Sequence, residues 1–157
     1  MKKHFFVITV IIFTLCVLAG CGVGEAEITA ASVWEVVEAA VPVETLPVMM
    51  NIDAAALKAY YGLGDDEVRD FAGQMSLLNV SATEILVARA QRNKGEALLQ
   101  AVLARSAAIE ERFADDEAQL ALVRDYRIVQ RGDWLLFVIS ESAGEIADAF
   151  DAYFVER

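Results

Sequence analysis

Six consecutive apolar residues, Trp134 to Ile139, follow directly on the dipeptide Gly132-Asp133. A strand with one wet face alternates apolar and polar residues, so a strand apolar at every position must be covered on both faces. Trp134, Leu136 and Val138 face one side, and Leu135, Phe137 and Ile139 the other. The stretch 83–90 has the same character, with Ile85 and Val87 opposed by Leu86, Ala88 and Ala90. Both strands are therefore expected at the centre of a sheet that carries a layer on each side. Gly132-Asp133 is a two-residue hairpin signal, joining strands expected over Tyr126–Arg131 and Trp134–Ser140.

The other elements follow from periodicity and punctuation. Ser32 and Glu35 have capping-box spacing, and Val33, Trp34, Val37, Ala40 and Val41 form one helical stripe that ends before Pro42 and Pro47. A second short helix is expected from an Asp53 N-cap to Tyr61, stopped by Gly62. Residues 65–80 fit both periods, and the reading taken is irregular chain leading into a strand around 75–80. A strand spans Thr83–Arg89, Asn93–Gly95 is a turn, and Glu96 to Phe113 is a helix with Leu98, Val102, Ile109 and Phe113 on one face. Ala143, Ile146, Ala147, Phe150, Tyr153 and Phe154 mark a closing helix. The order predicts an α+β fold. Its core is a small, mostly antiparallel sheet of three to four strands in a split β-α-β-β-α (ferredoxin-like) arrangement, with N-terminal helices added. The helices at 96–113 and 143–155 are expected on one face. Those near 33–41 and 53–61 are expected to cover part of the other, with Trp34 in the contact.

The N-terminus is an address rather than part of the fold. Lys2 and Lys3 precede an uncharged run from Phe5 to Leu18. As a helix it would rise about 21 Å, short of the roughly 20 residues of a membrane span, and it suits a signal-peptide core. Leu18-Ala19-Gly20-Cys21 then resembles the lipobox of bacterial prolipoproteins. The resemblance implies cleavage before Cys21 and a lipid, palmitate among its acyl chains, on that residue. Residues 1–20 are thus read as the signal, 21–28 as lipidated cysteine and short tether, and 29–157 as a single α+β domain. Two or more acyl chains hold a protein to a bilayer far better than one. The expected location is the cell membrane, lipid-anchored and facing outside the cytoplasm.

Loss of Lys2 and Lys3 leaves 11 basic residues against 24 acidic ones, a net charge of −13. Such a surface repels nucleic-acid phosphates, so a nucleic-acid partner is not expected. Cys16 and His4 also leave with the signal, and lipid consumes Cys21. No disulfide, no zinc site of the usual ligands and no Ser-His or Cys-His pair can then form in the mature chain. Neither a cofactor nor a metal is expected.

A spaced pattern runs through the rest: Tyr60-Tyr61-Gly62-Leu63, Leu78-Asn79-Val80, Glu84-Ile85-Leu86-Val87, and Val129 to Ser140. By this pattern the chain resembles a family of Gram-positive lipoproteins carrying domain of unknown function 4358. The resemblance implies a lipoprotein and its fold. It supplies no activity and no functional residues.

Candidate chemistry is sparse. Arg131-Gly132-Asp133 spells an integrin-type tripeptide and reads better as a tight turn. Asn79-Val80-Ser81 is a glycosylation sequon by coincidence. Asp65-Asp66-Glu67 and Asp115-Asp116-Glu117 lack the alternating spacing of a calcium loop and read as solvated helix caps. No catalytic residue is nominated. The expected role is a noncatalytic module that binds an unidentified protein or small ligand at the cell surface. The alternative is a carboxylate-based extracytoplasmic hydrolase.

Overall fold

The computed structural model describes residues 27–42 and 46–155. The expected signal peptide with its Leu18, Ala19 and Gly20, and the expected lipidation site Cys21, lie outside the described residues. Helix α1 (Ala30–Ala39) leads to strand β1 (Met49–Asn51), α2 (Ala54–Tyr61) and β2 (Val68–Ser76). Then come β3 (Glu84–Ala90), α3 (Gly95–Arg112), α4 (Glu117–Arg124), the hairpin β4 (Arg127–Arg131) and β5 (Trp134–Ile139), and α5 (Ala143–Val155). The strands form one five-stranded antiparallel sheet in the order β1-β2-β3-β5-β4.

The all-apolar strands are central, as their pattern demands. Every residue of β5 is buried, and β3 is buried at all positions but Arg89. Leu86, Ala88, Leu135, Phe137 and Ile139 face one core, completed by Leu57 and Tyr61 of α2, Leu98, Val102 and Ile109 of α3, and Val123 of α4. Ile85, Val87, Trp134, Leu136 and Val138 face the other, completed by Val33 and Val37 of α1 and Ile146, Phe150 and Tyr153 of α5. Trp34 joins this second core. The molecule therefore has three layers: helices, sheet, helices.

Several expectations need correction. The sheet has five strands rather than three to four. β3 and β4 run parallel with β5 between them, but α3 and α5 lie on opposite faces rather than one, so the expected ferredoxin-like arrangement is not what forms. The reason is space. α2, α3 and α4 already fill the first face, while the second face of β5 still needs cover. α2 likewise lies beside α3 and not beside α1, because its Ala56, Leu57 and Tyr61 enter the first core. The segment read as irregular before a strand at 75–80 is a strand from Val68, and it ends at Ser76. At Gly73 a side chain is excluded, since a Cβ would come within 2.5 Å of the Ile85 carbonyl oxygen. β1 and α4 were not anticipated.

The punctuation largely holds. Asp53 caps α2 by accepting from the Ala56 amide at 2.7 Å, and Gly62 ends it at φ +70°. The α1 box uses Thr29 with Ser32 instead of Ser32 with Glu35. Gly132 takes φ +61° in the β4–β5 turn, where Asp133 pairs with Arg89 at 2.7 Å.

Candidate functional site

Three polar side chains meet inside the first core. Glu84 opens β3 and is 2 % exposed; Arg105 lies mid-α3 at 6 %, and Tyr61 ends α2 at 6 %. Arg105 Nε donates to Glu84 Oε1 at 2.9 Å and Nη2 donates to Oε2 at 2.6 Å, a bidentate fork. The Tyr61 hydroxyl donates to the same Oε1. The half-exposed Tyr60 ring lies over the guanidinium, 4.8 Å from its carbon. Burial, together with the charge and hydrogen bond of Glu84, raises the Tyr61 pKa well above its ordinary value. For Arg105, burial works to lower the pKa, and the hydrogen bonds and charge of Glu84 more than offset it. Tyr61 therefore stays neutral and Arg105 stays charged. The cluster ties α2, α3 and β3 together, and three of the roughly four acceptor positions of its carboxylate are taken.

The same end of the sheet is shaped for contact. β2 stops at Ser76, and the link to β3 turns through Leu77, Leu78, Asn79 and Val80. Leu77, Leu78 and Val80 are 54 %, 52 % and 71 % exposed, and Val48 beside them is 61 % exposed. The Leu77 amide donates to the Val48 carbonyl at 2.8 Å, which holds the two segments side by side. The Ser76 hydroxyl braces the turn on the Leu78 carbonyl at 2.9 Å. Four aliphatic side chains thus share one projecting tip.

Around the tip the surface is polar and acidic. A hollow of about 270 Å³ is lined by Ser81, Thr83, Gln119, Ser140 and Glu141, with Leu46, Pro47 and Leu122 as its apolar wall. Gln119 accepts from the Ala82 amide at 2.8 Å and fastens α4 to the loop. Asp115 and Glu117 stand exposed between Gln119 and Arg112, and Arg112 reaches Asn79 at 3.4 Å. A wider hollow of about 780 Å³ lies at the opposite end, lined by Arg69, Gln91, Arg92, Asn93, Gly132 and Asp133. There Glu27 pairs with Arg69 at 2.6 Å.

The acidic triplets do not meet. Asp65, Asp66, Asp115 and Glu117 are exposed; Glu67 accepts from the Gly64 amide at 3.1 Å, and Asp116 caps α4 on the Gln119 amide at 3.1 Å. Among the described residues no group of three His, Cys, Asp or Glu side chains converges on a metal-sized site. None of their helices is long and apolar enough to cross a membrane.

Sequence reasoning passed over the Glu84–Arg105–Tyr61 cluster, although a signal was there. Arg105 occupies the apolar stripe of its helix, between Val102 and Ile109 at core spacing. A charge in that position requires a buried partner. Glu84 is the matching irregularity, a carboxylate opening a strand whose next four residues are apolar.

No curated protein and no solved structure matches the chain. Residues 43–140, which hold all five strands, α2, α3 and α4, match the model of a family described as a domain of unknown function, DUF4358. The match covers well over half of the 157 residues, and the chain belongs to the DUF4358 family.

Proposed function

We propose that the chain is a membrane-anchored extracytoplasmic lipoprotein whose domain is a noncatalytic binding module. The observation that carries the binding reading is the tip. Val48, Leu77, Leu78 and Val80 each leave more than half of their surface in water, on two segments tied to each other. Exposed aliphatic side chains gathered on adjoining segments are the kind of apolar surface that marks interaction sites. The Glu84–Arg105–Tyr61 cluster, at the same end of β3, supports it by tying α2, α3 and β3 together, since a binding surface gains affinity when it is held in shape beforehand. For the anchor, support comes from the order of n-region, apolar run and Leu18-Ala19-Gly20-Cys21. A hydrolase has less support, because Glu84, the deeply buried carboxylate, is neutralised by Arg105 rather than facing a second acid.

Photocrosslinking in intact cells tests the reading. A photoreactive residue replaces Val80 in one full-length chain and exposed Asp148 of α5 in another. Light-dependent adducts are expected from position 80 and not from 148. Equal adduct patterns, or none at 80, would count against a binding role for the tip.

A further inference from the structure

The surroundings of the tip say what kind of partner fits it, given the anchored binding module proposed above. We infer that the tip receives a basic, amphipathic segment of another protein, with its apolar centre on Leu77, Leu78 and Val80. Three observations converge on this occupant.

The first is charge. Glu141 is exposed on the hollow beside the tip, and Asp115 and Glu117 are exposed on the segment between Arg112 and Gln119, which bond to Asn79 and Ala82. Arg124 and Arg127 nearby are paired with Glu110 and Asp125, which leaves Arg112, hydrogen-bonded to the neutral Asn79 carboxamide, as one cation against these three acids. An apolar centre with an acidic rim complements an apolar centre with a basic rim. A second copy of this chain would bring acid against acid.

The second is position. The described chain begins at Glu27, which is paired with Arg69 near the start of β2 and approaches Arg89 near the end of β3. The tip follows the other end of β2. Nine strand residues at about 3.3 Å each separate the two ends by roughly 30 Å. Five residues lie between Cys21 and Glu27 in the chain, and the six steps they make span at most about 20 Å. A lipid on Cys21 would therefore be held within about 20 Å of Glu27, nearer the Arg69 end of the sheet than the tip.

The third is shape. The hollow of about 270 Å³ beside the tip offers hydroxyls, a carboxamide and a carboxylate. Ser140, Thr83 and Glu141 can accept hydrogen bonds from lysine or arginine heads. A bilayer would instead need a basic rim around the inserting aliphatics.

The test combines the crosslinker at position 80 with two sets of charge reversals, all in the full-length chain in cells. One set is Asp115→Lys, Glu117→Lys and Glu141→Lys around the tip. The other is Asp65→Lys, Asp66→Lys and Asp148→Lys, which changes net charge equally at a distance. The expected result is a protein adduct whose crosslinked peptide is apolar and flanked by Lys or Arg. Its yield should fall about fivefold with the first set and stay unchanged with the second. A lipid adduct, an adduct of twice the chain's mass, or equal loss with both sets would overturn the inference while leaving a binding tip in place. Absence of any adduct at 80 would remove the binding reading itself.

Discussion

Arg105 grips Glu84 with two parallel hydrogen bonds, 2.9 Å and 2.6 Å long, across the gap between α3 and β3. Both side chains are almost wholly buried, so neither charge can turn to water if the other is lost. Breaking such a pair from one side costs about 3–5 kcal/mol, because an uncompensated charge stays in the core. Arg105→Met and Glu84→Gln should each lower the urea midpoint strongly. The double variant Glu84→Leu with Arg105→Met should be less destabilised than the sum of the two. A double variant showing full additivity would mean that the two groups act independently.

Tyr61 makes the same cluster sensitive to alkali. Its folded pKa is raised above the ordinary value, first by burial and then by Glu84. The stability it contributes is whole below about pH 10, the unfolded value, and is lost as pH rises toward the folded one, by at most about 1.4 kcal/mol per pH unit. Unfolding free energies measured between pH 8 and pH 11.5 should fall more steeply for the native chain than for Tyr61→Phe. At pH 7 the variant should already be weaker by about 1.5–3 kcal/mol, since it loses a hydrogen bond to a charged group. Parallel pH profiles for the two proteins would refute the assignment.

What was legible in the sequence was whatever a periodic pattern must express. The two-sided strands at 84–90 and 134–139, the Gly132 turn and the Asp53–Gly62 helix are local, and each followed from a few residues. Which helix covers which face was not local. α5 follows β5 either way, and the choice depends on how much room α2, α3 and α4 leave on the first face. β1 has three residues and no period to read, and it exists because β2 offers an unpaired edge. α4 was hidden because it buries only Val123 among its eight residues. The tip was misread because Leu77, Leu78 and Val80 look like strand residues when counted for hydrophobicity alone. The buried cluster hid for the opposite reason: Arg105 was legible as an anomaly, but its partner lies 21 residues away in the chain.

The anchor can be tested independently of the fold. Cys21→Ser removes the thiol that would take the lipid, so labelling by radioactive palmitate should disappear and the precursor should persist with its signal attached. A variant that still takes up palmitate and still matures would show that Cys21 is not the attachment point.

The second core supplies the last prediction. α1 contributes Ala30, Val33, Val37 and, just past its end, Val41, against Ile85 and Val87 of β3 and alongside α5. It is held at its start by the Ala30 amide donating to Asp70 at 2.6 Å and by the Ser32 hydroxyl against the Tyr153 hydroxyl at 2.8 Å. α5 cannot close that face alone, because its Ile146, Phe150 and Tyr153 lie over β5 and β4, while β2 and β3 look toward α1. Removing residues 22–42 from a soluble chain should therefore uncover Ile85, Val87 and Ala72. That is several large apolar contacts at about 25 cal/mol per Å² of surface returned to water. The truncated domain should bind a hydrophobic dye strongly, self-associate in sedimentation, and melt well below the longer chain. Its first core, built by α2, α3 and α4, should keep native far-ultraviolet helix signal at low temperature. A truncated domain that stayed monomeric, dye-silent and equally stable would show that α1 rests on the sheet without stabilising it.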